Sequence, residues 1–324
     1  MPPPDAALVS VALCTFNGER HLREQLDSLL AQDWPRLEIV AVDDASTDAT
    51  PDILAAYAQR DSRVRLHRNP ANLGFRQNFE AAMSRCQGRY IAPCDQDDIW
   101  LPGKLSALAN ELKDGLALIA YCDSELIDDQ GKPLGQRMSD HMNRFSTDDP
   151  LPFWFANNVS GHAMLFDRSL VSMAPPVPEG FFHDWWLAHA AASNGHIRYV
   201  DRCLVRYRQH ARTVTDVTQS RTVQTDRSPG FRTRELARDK ARLEGFATVP
   251  GKGQALAQEL VRLWRARESH FTSARLAWFF YQHHHRIHAI PKNLRRKRFP
   301  QAMQYFWGLR TKRLIEPHRY VESN

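Results

Sequence analysis

The sequence predicts an α/β protein built on an open, mostly parallel sheet with helices on both faces, followed by a basic helical extension. Three observations lead there. Short unbroken apolar runs, too brief for helices, recur through the first two-thirds. Stretches with helical apolar spacing separate them. The charge then changes sign: residues 1–215 carry 21 Lys and Arg against 28 Asp and Glu, and residues 216–324 carry 22 against 9. The boundary falls at 215/216, inside a polar stretch from Thr213 to Gly230 that reads as a linker. At 324 residues, 43 % hydrophobic and 25 % charged, the chain suits a large domain with an appendage and excludes disordered or fibrous classes.

Leu8-Val9-Ser10-Val11-Ala12-Leu13 reads as a first buried strand, and Leu22, Leu26, Leu29 and Leu30 come next at helical spacing. Leu37 to Val42 is a second strand, ending in Asp43-Asp44. Ser46-Thr47-Asp48 offers a helix N-terminus, and Ile53, Leu54 and Tyr57 share one face of the helix it opens. Val64 to His67 is a third strand, the segment after Asn72-Leu73-Gly74 reads as a helix through Met83, and Arg89 to Cys94 is a fourth strand. Ligands in such sheets lie beyond the carboxyl ends of the strands. Polar clusters sit at those ends: Thr15-Phe16-Asn17-Gly18-Glu19, Asp43-Asp44, and Asp95-Gln96-Asp97-Asp98.

Crowded carboxylates such as Asp95, Asp97 and Asp98 repel one another, and a divalent cation, Mg²⁺ or Mn²⁺, relieves that repulsion while keeping positions open for phosphates. No glycine-rich phosphate loop comes after the first strand, which disfavours P-loop and dinucleotide-binding enzymes. A diphosphate would then rest on metal and basic side chains, with Arg76 as the candidate. Five scattered cysteines without a C-x-x-C, no apolar run of membrane-spanning length, and an N-terminus without a leader pattern lead us to expect a cytoplasmic protein without disulfides.

The order of Val11-Ala12-Leu13-Cys14-Thr15-Phe16-Asn17-Gly18-Glu19, Val42 to Asp48, Asn72-Leu73-Gly74, Asp95-Gln96-Asp97-Asp98-Ile99-Trp100 and His183-Asp184-Trp185-Trp186 closely resembles family 2 glycosyltransferases with the GT-A fold. The Asp-Gln-Asp-Asp-Ile-Trp form resembles their bacterial rhamnosyltransferase-like branch. The resemblance covers roughly residues 8–215. It implies that Thr15, Asn17, Glu19, Asp43 and Asp44 hold the nucleoside, that Arg76 contacts base or diphosphate, and that Asp95 faces the ribose. Asp97 and His210 would hold the metal, although the family's Gly-Asn after that histidine is Ala211-Arg212 here. Asp184 would be the catalytic base, with His183 where the family has a second acid. Trp100, His183, Trp185 and Trp186 would contact acceptor or sugar, and Trp154 and Phe155 would shape the acceptor side.

The expected function is therefore inverting, metal-dependent transfer of a sugar, best read as L-rhamnose from dTDP-rhamnose, onto a surface polysaccharide or lipid-linked oligosaccharide. A UDP-hexose-dependent enzyme of the same fold, a sugar-nucleotide nucleotidyltransferase and an inactive nucleotide-sugar-binding subunit are the alternatives. In the tail, Leu256, Leu260, Leu263, Trp264, Leu276, Phe279 and Phe280 read helical. Aromatics interleaved with basic residues, Arg295 to Arg298 among them, suit peripheral contact with an anionic membrane at its inner face. Packing on the catalytic domain or homodimer formation are the other readings, and no nucleic acid is expected. His283, His284 and His285 cannot share one helical face and are not read as ligands.

Overall fold

The computed structural model describes residues 6–210, 230–294, 297–315 and 320. The first half alternates as expected: β1 (Val9–Thr15), α1 (Leu22–Leu30), β2 (Leu37–Asp43), α2 (Thr50–Arg60), β3 (Val64–Arg68), α3 (Phe75–Arg85) and β4 (Tyr90–Cys94). Every residue of β1, β2 and β4 is buried, which is why these strands read as unbroken apolar runs and not as alternating ones. Helix α2 begins two residues after Asp48, whose carboxylate accepts the Thr50 N–H at 3.0 Å and so satisfies one of the free donors at its N-terminus.

Next come β5 (Ile99–Trp100), α4 (Lys104–Leu112), β6 (Ala117–Ile127), β7 (Pro133–Arg137), α5 (Met138–His141), β8 (Met164–Asp167), α6 (Ser169–Met173), α7 (His183–Asn194) and β9 (His196–Arg208). The sheet order is β3-β2-β1-β4-β8-β6-β9-β5, with β7 pairing β6. Strands β3, β2, β1 and β4 are parallel; β8 runs antiparallel to both β4 and β6, while β6 and β9 pair in parallel. The parallel sheet read from the sequence is thus one half of a mixed one. Strand order reverses at β1, between β2 and β4, and the crevice that opens at such a point lies at their carboxyl ends.

Helices cover both faces. One apolar layer joins Leu22, Leu26, Ile53, Leu54, Leu105 and Leu108 to the sheet. The other joins Phe79, Trp186 and Ala190 to Ile119 and Phe166, and continues into the C-terminal helices. Those are α8 (Phe231–Phe246), α9 (Gln254–Ser269), α10 (Ala274–Ile287), α11 (Arg298–Phe306) and α12 (Leu309–Ile315). Phe246 stacks on Trp186 at 5.7 Å and Phe279 on Trp154 at 6.4 Å. The Arg286–Asp149 pair, with contacts of 2.7 and 2.9 Å, adds a polar tie. The helical tail expected from the spacing is present, and its inner face packs on the sheet-bearing part of the chain. The linker expected over 213–230 lies, apart from Gly230, outside the described residues, as do Arg295 and Arg296.

Since α8–α10 share one core with the sheet, they should not melt separately. Urea unfolding monitored by far-UV and near-UV circular dichroism should give coincident transitions. Phe280→Ala should lower stability by about 3–5 kcal/mol.

Candidate active site

A cleft of about 1330 Å³ opens where β1, β2 and β4 end and is closed on its far side by the start of α7. Its first wall is a set of turns bonded to one another. Asn17 donates its backbone N–H to Ser46 Oγ at 2.9 Å and accepts from Thr47 N at 2.9 Å. The Glu19 carboxylate accepts from Ala49 N at 2.9 Å. Gly18 passes so close to Gln96 that a Cβ there would lie 2.2 Å from its Oε1, and Gln96 is itself held by both backbone groups of Phe16. Asn17 (φ 48°) and Ala45 (φ 59°) occupy left-handed conformations, a strain of about 1–3 kcal/mol each that only a well-determined surround maintains.

The adjacent carboxylates at the end of β2 and just beyond it divide their work. Asp44 lines the cleft and accepts from Asn69 Nδ2 at 2.8 Å and from Leu73 N and Gly74 N at 2.9 Å, which shapes the Asn72-Leu73-Gly74 loop. Asp43 points inward, fully buried, and accepts from Thr15 Oγ1 at 3.2 Å, Ser46 N at 3.1 Å and Arg68 Nε at 3.3 Å. Asp43, expected to contact the nucleoside, is thus not among the lining residues; it braces the turn that carries Asp44.

The third wall is the acidic end of β4. Asp95 and Asp97 line the cleft, and Asp97 Oδ2 lies 2.9 Å from His210 Nε2. Burial, then the charges of Asp97 and Asp184, pushes the Asp95 pKa up. Asp98 is buried beneath them, and its carboxyl too is pushed well up by burial and by its neighbours. Its Oδ1 accepts the Arg208 N–H at 3.0 Å, while Oδ2 has no hydrogen-bond partner among the described residues. Asp95, Asp98 and His162 each bring one ligand atom within 4.8 Å of the others. His162 is held by Ser124 Oγ at 2.9 Å and stacked on Tyr207 at 4.1 Å. Burial keeps it neutral, the form that binds metal. Hard oxygens beside neutral imidazole, with one buried carboxylate oxygen unpartnered, fit a divalent cation.

At the start of α7, Asp184 accepts from Trp185 N at 2.6 Å and Gly161 N at 3.2 Å. Burial nevertheless raises its pKa to about 6. Gly161 packs closely here: a Cβ would lie 3.0 Å from His183 Nε2. His183 stacks on Phe79 at 4.1 Å and lines the cleft with neither ring nitrogen hydrogen-bonded among the described residues; burial lowers its pKa to about 4. Trp185 also lines the cleft, under the guanidinium of Arg242 at 4.2 Å.

Of the sequence-derived site residues, Thr15, Asn17, Glu19, Asp44, Asp95, Asp97, His183, Asp184, Trp185 and His210 meet at this cleft. Others do not. Arg76 pairs with Glu80 at 2.8 Å one helical turn away and is not among the lining residues. Trp100 is core, with Lys104 Nζ 3.1 Å from its ring centroid. Trp186 is fully buried against Phe246, and Trp154 against Phe279. Phe155 is half-buried between Trp264 and Phe280. Large rings chosen for their polar neighbours in sequence went where they exclude the most water. Missed by sequence reading were Arg20, which lines the cleft and pairs with Asp129; the exposed ring pair Phe75–Phe182, 5.4 Å apart; and His162. Arg20 adjoins Glu19 in the same polar cluster and was legible there; nothing local marks His162.

A family model described as Glycosyl transferase family 2 matches residues 10–172. TuaG of Bacillus subtilis (strain 168), named as a candidate teichuronic acid biosynthesis glycosyltransferase, is 33 % identical over 127 residues, covering 39 % of this chain and 50 % of that protein. An uncharacterized glycosyltransferase of Haemophilus influenzae is 33 % identical over 106 residues, 33 % of each chain. The chain thus spans half or less of the length of these curated relatives. Among solved structures, S. aureus TarS 1–349 in complex with UDP-GlcNAc superposes with a TM-score of 0.56 at 18 % identity, covering 85 % of this chain and 72 % of that one. The mannosyltransferase PcManGT from Pyrobaculum calidifontis in complex with GDP-Man and Mn²⁺ gives 0.51 at 18 % identity, covering 81 % and 71 %. At these identities the likeness is one of fold.

The raised pKa of Asp184 has a measurable consequence. Its folded value of about 6 exceeds the ordinary 3.8, so ionisation is disfavoured in the folded state, and stability is lost as pH climbs through that interval. Asp184→Asn should therefore melt higher than wild type by a margin that grows between about pH 4 and 6 and stays constant above. A melting difference that is flat across this range would contradict the assigned environment.

Proposed function

The chain belongs to glycosyl transferase family 2, and from that premise we propose that it transfers a sugar from a nucleoside-diphosphate donor to an acceptor hydroxyl with inversion at the anomeric carbon. The observation that carries this reading is Asp184, a carboxylate with elevated pKa held by two backbone N–H groups and facing the acidic end of β4 across one cleft. Its remaining lone pairs take the acceptor proton as the acceptor oxygen bonds the anomeric carbon. The bond from that carbon to the diphosphate oxygen breaks, the electron pair leaves with the diphosphate, and the proton ends on Asp184.

Arg20, in place of Arg76, is the arginine that would face the departing diphosphate. Asp97 and His210, with Asp95 beside them, would hold Mg²⁺ or Mn²⁺; the deeper Asp95–Asp98–His162 group would extend that donor set. Such a cation supplies charge compensation for the leaving group. Asp44 keeps acceptor capacity beyond its three bonds, which suits the imide N–H that thymine and uracil both carry. Thr15, Asn17 and Glu19 line the same end. The ring pair Phe75–Phe182 and Trp185 take the sugar-contacting role expected of Trp100 and Trp186, and an apolar wall of this kind suits the methyl of a 6-deoxy sugar. Together with the Asp-Gln-Asp-Asp-Ile-Trp resemblance, this supports dTDP-rhamnose as donor and a surface polysaccharide or lipid-linked oligosaccharide as acceptor.

Calorimetric titration of UDP, dTDP, GDP and CDP, each with Mn²⁺ and with EDTA, tests the reading. Tight metal-dependent dTDP binding is expected. Preference for UDP would move the donor to a UDP-hexose, and binding of none would overturn the nucleotide site. Arg20→Ala should weaken diphosphate binding about tenfold, and Arg76→Ala should leave it unchanged. Asp184→Asn should reduce turnover by roughly 10²–10⁴ with nucleotide affinity intact. Wild-type turnover should rise with pH through about 6 and level off above it, as the base must be ionised.

A further inference from the structure

We propose that the outer face of α10–α12 is a docking surface for an anionic lipid bilayer. The inference does not depend on the transfer reading, because it rests on a different part of the molecule and its readout is binding.

Helix α11 presents two unlike faces. Ala302 is buried, and Tyr305 stacks on Phe280 of α10 at 3.7 Å with an interplanar angle of 7°. On the outer side Phe299 and Met303 recur at four-residue spacing, and Trp307 follows at the extended end of the helix, with Phe299 65 % and Trp307 46 % exposed. Helix α10 is built the same way: Leu276, Phe279 and Phe280 face the core, while Arg275 and Trp278 share the exposed side, Trp278 at 58 %. Beyond α11, Leu314 and Ile315 stand 74 % and 71 % exposed. A surface with this many large apolar side chains turned outward marks an interaction site.

The charges say which kind. Residues 269–315 contain ten Lys and Arg and no Asp or Glu. Cations are interleaved with the rings: Arg298 lies 4.0 Å over Tyr281, which stacks on Trp278 at 5.5 Å, and Arg310 lies 5.7 Å from the Phe271 ring. A second copy of the chain is a poor occupant, because a two-fold contact would set this face against itself, cation against cation. A surface of anionic headgroups over hydrocarbon satisfies both halves at once: aromatics enter the boundary and Arg and Lys meet the phosphates. No helix among the described residues is long and apolar enough to cross a membrane, so the contact would lie along the surface.

The test uses the full chain and two vesicle compositions, phosphatidylcholine alone and phosphatidylcholine with about 30 % phosphatidylglycerol, in a co-sedimentation assay. Binding to the anionic vesicles should exceed binding to the neutral ones by about tenfold at 0.1 M salt and fall in 0.5 M salt. The triple variant W278S/F299S/W307S should lose about tenfold of that binding, with an unchanged circular dichroism spectrum and melting temperature since the three rings are exposed. Arg275→Glu with Arg310→Glu should weaken it by a similar factor. Equal pelleting with both vesicle types, or wild-type binding by either variant, would overturn the proposal. So would absence of vesicle binding together with a concentration-dependent dimer that the triple variant abolishes, which would assign the face to a second copy.

Discussion

The guanidinium of Arg208, buried at the last residue of β9, is where the ends of several segments are joined. It donates to the carbonyls of Asp97, at 2.7 Å, and Asp129, at 3.0 Å, and pairs with Glu24 at 2.6 Å, while its own backbone N–H serves Asp98. A buried cation is tolerable only with its hydrogen-bonding capacity met, so this one side chain fixes β4, β9, α1 and the turn after β6 relative to one another. Lys104 does the same from beneath. It is fully buried over Trp100, donates to the His162 carbonyl at 2.6 Å, and its pKa is lowered to about 8 by burial. The Lys104 charge offsets part of the repulsion among the carboxylates at the end of β4, and Arg208 ties down the backbone that carries them.

The opposite wall is ordered by a different means. The turns after β1 and β2 have little regular structure, yet they donate to one another's side chains across about thirty positions of sequence, as Asn17 does with Ser46 and Thr47 and Glu19 with Ala49. This network maintains two residues in left-handed conformations and leaves Asp44 facing the cleft. Preorganisation of this kind leaves little rearrangement to be made when a ligand arrives.

The C-terminal helices connect to the cleft through α7. That helix is buried nearly all round, because the sheet lies on one side of it and Phe246 of α8 on the other. The same packing that desolvates Asp184 at its start therefore depends on the appendage. Arg242 of α8 reaches the cleft wall over Trp185, whereas Arg275, Arg298 and Arg310 lie among the rings of α10–α12 and the residues flanking them.

Much of this was legible in the sequence. Unbroken apolar runs marked β1, β2 and β4, helical spacing marked α1 and the inner faces of α9 and α10, and polar residues at strand ends marked the cleft. These features arise from local periodicity and from the rule that ligands meet a parallel sheet at its carboxyl edge. Asp184 stood out between Phe181-Phe182 and Trp185-Trp186, and its apolar surround is what raises its pKa. Which of several neighbouring side chains turns toward the cleft was decided only by the tertiary structure. Asp43 and Asp44 are adjacent, yet Asp43 is the last, buried residue of β2 and Asp44 the first residue of the turn beyond it, so one braces the turn and the other lines the cleft. Trp185 and Trp186 are adjacent, yet on a helix they differ by about 100°, so one lines the site and the other fills the core. Arg76 found Glu80 within its own helix before it could reach the cleft, and His162 and Lys104 were brought beneath the carboxylates by strand pairing between distant segments. The periodicity of the chain determines where elements and edges fall; the burial of large rings and the pairing of buried charges are long-range balances that only the assembled fold can strike.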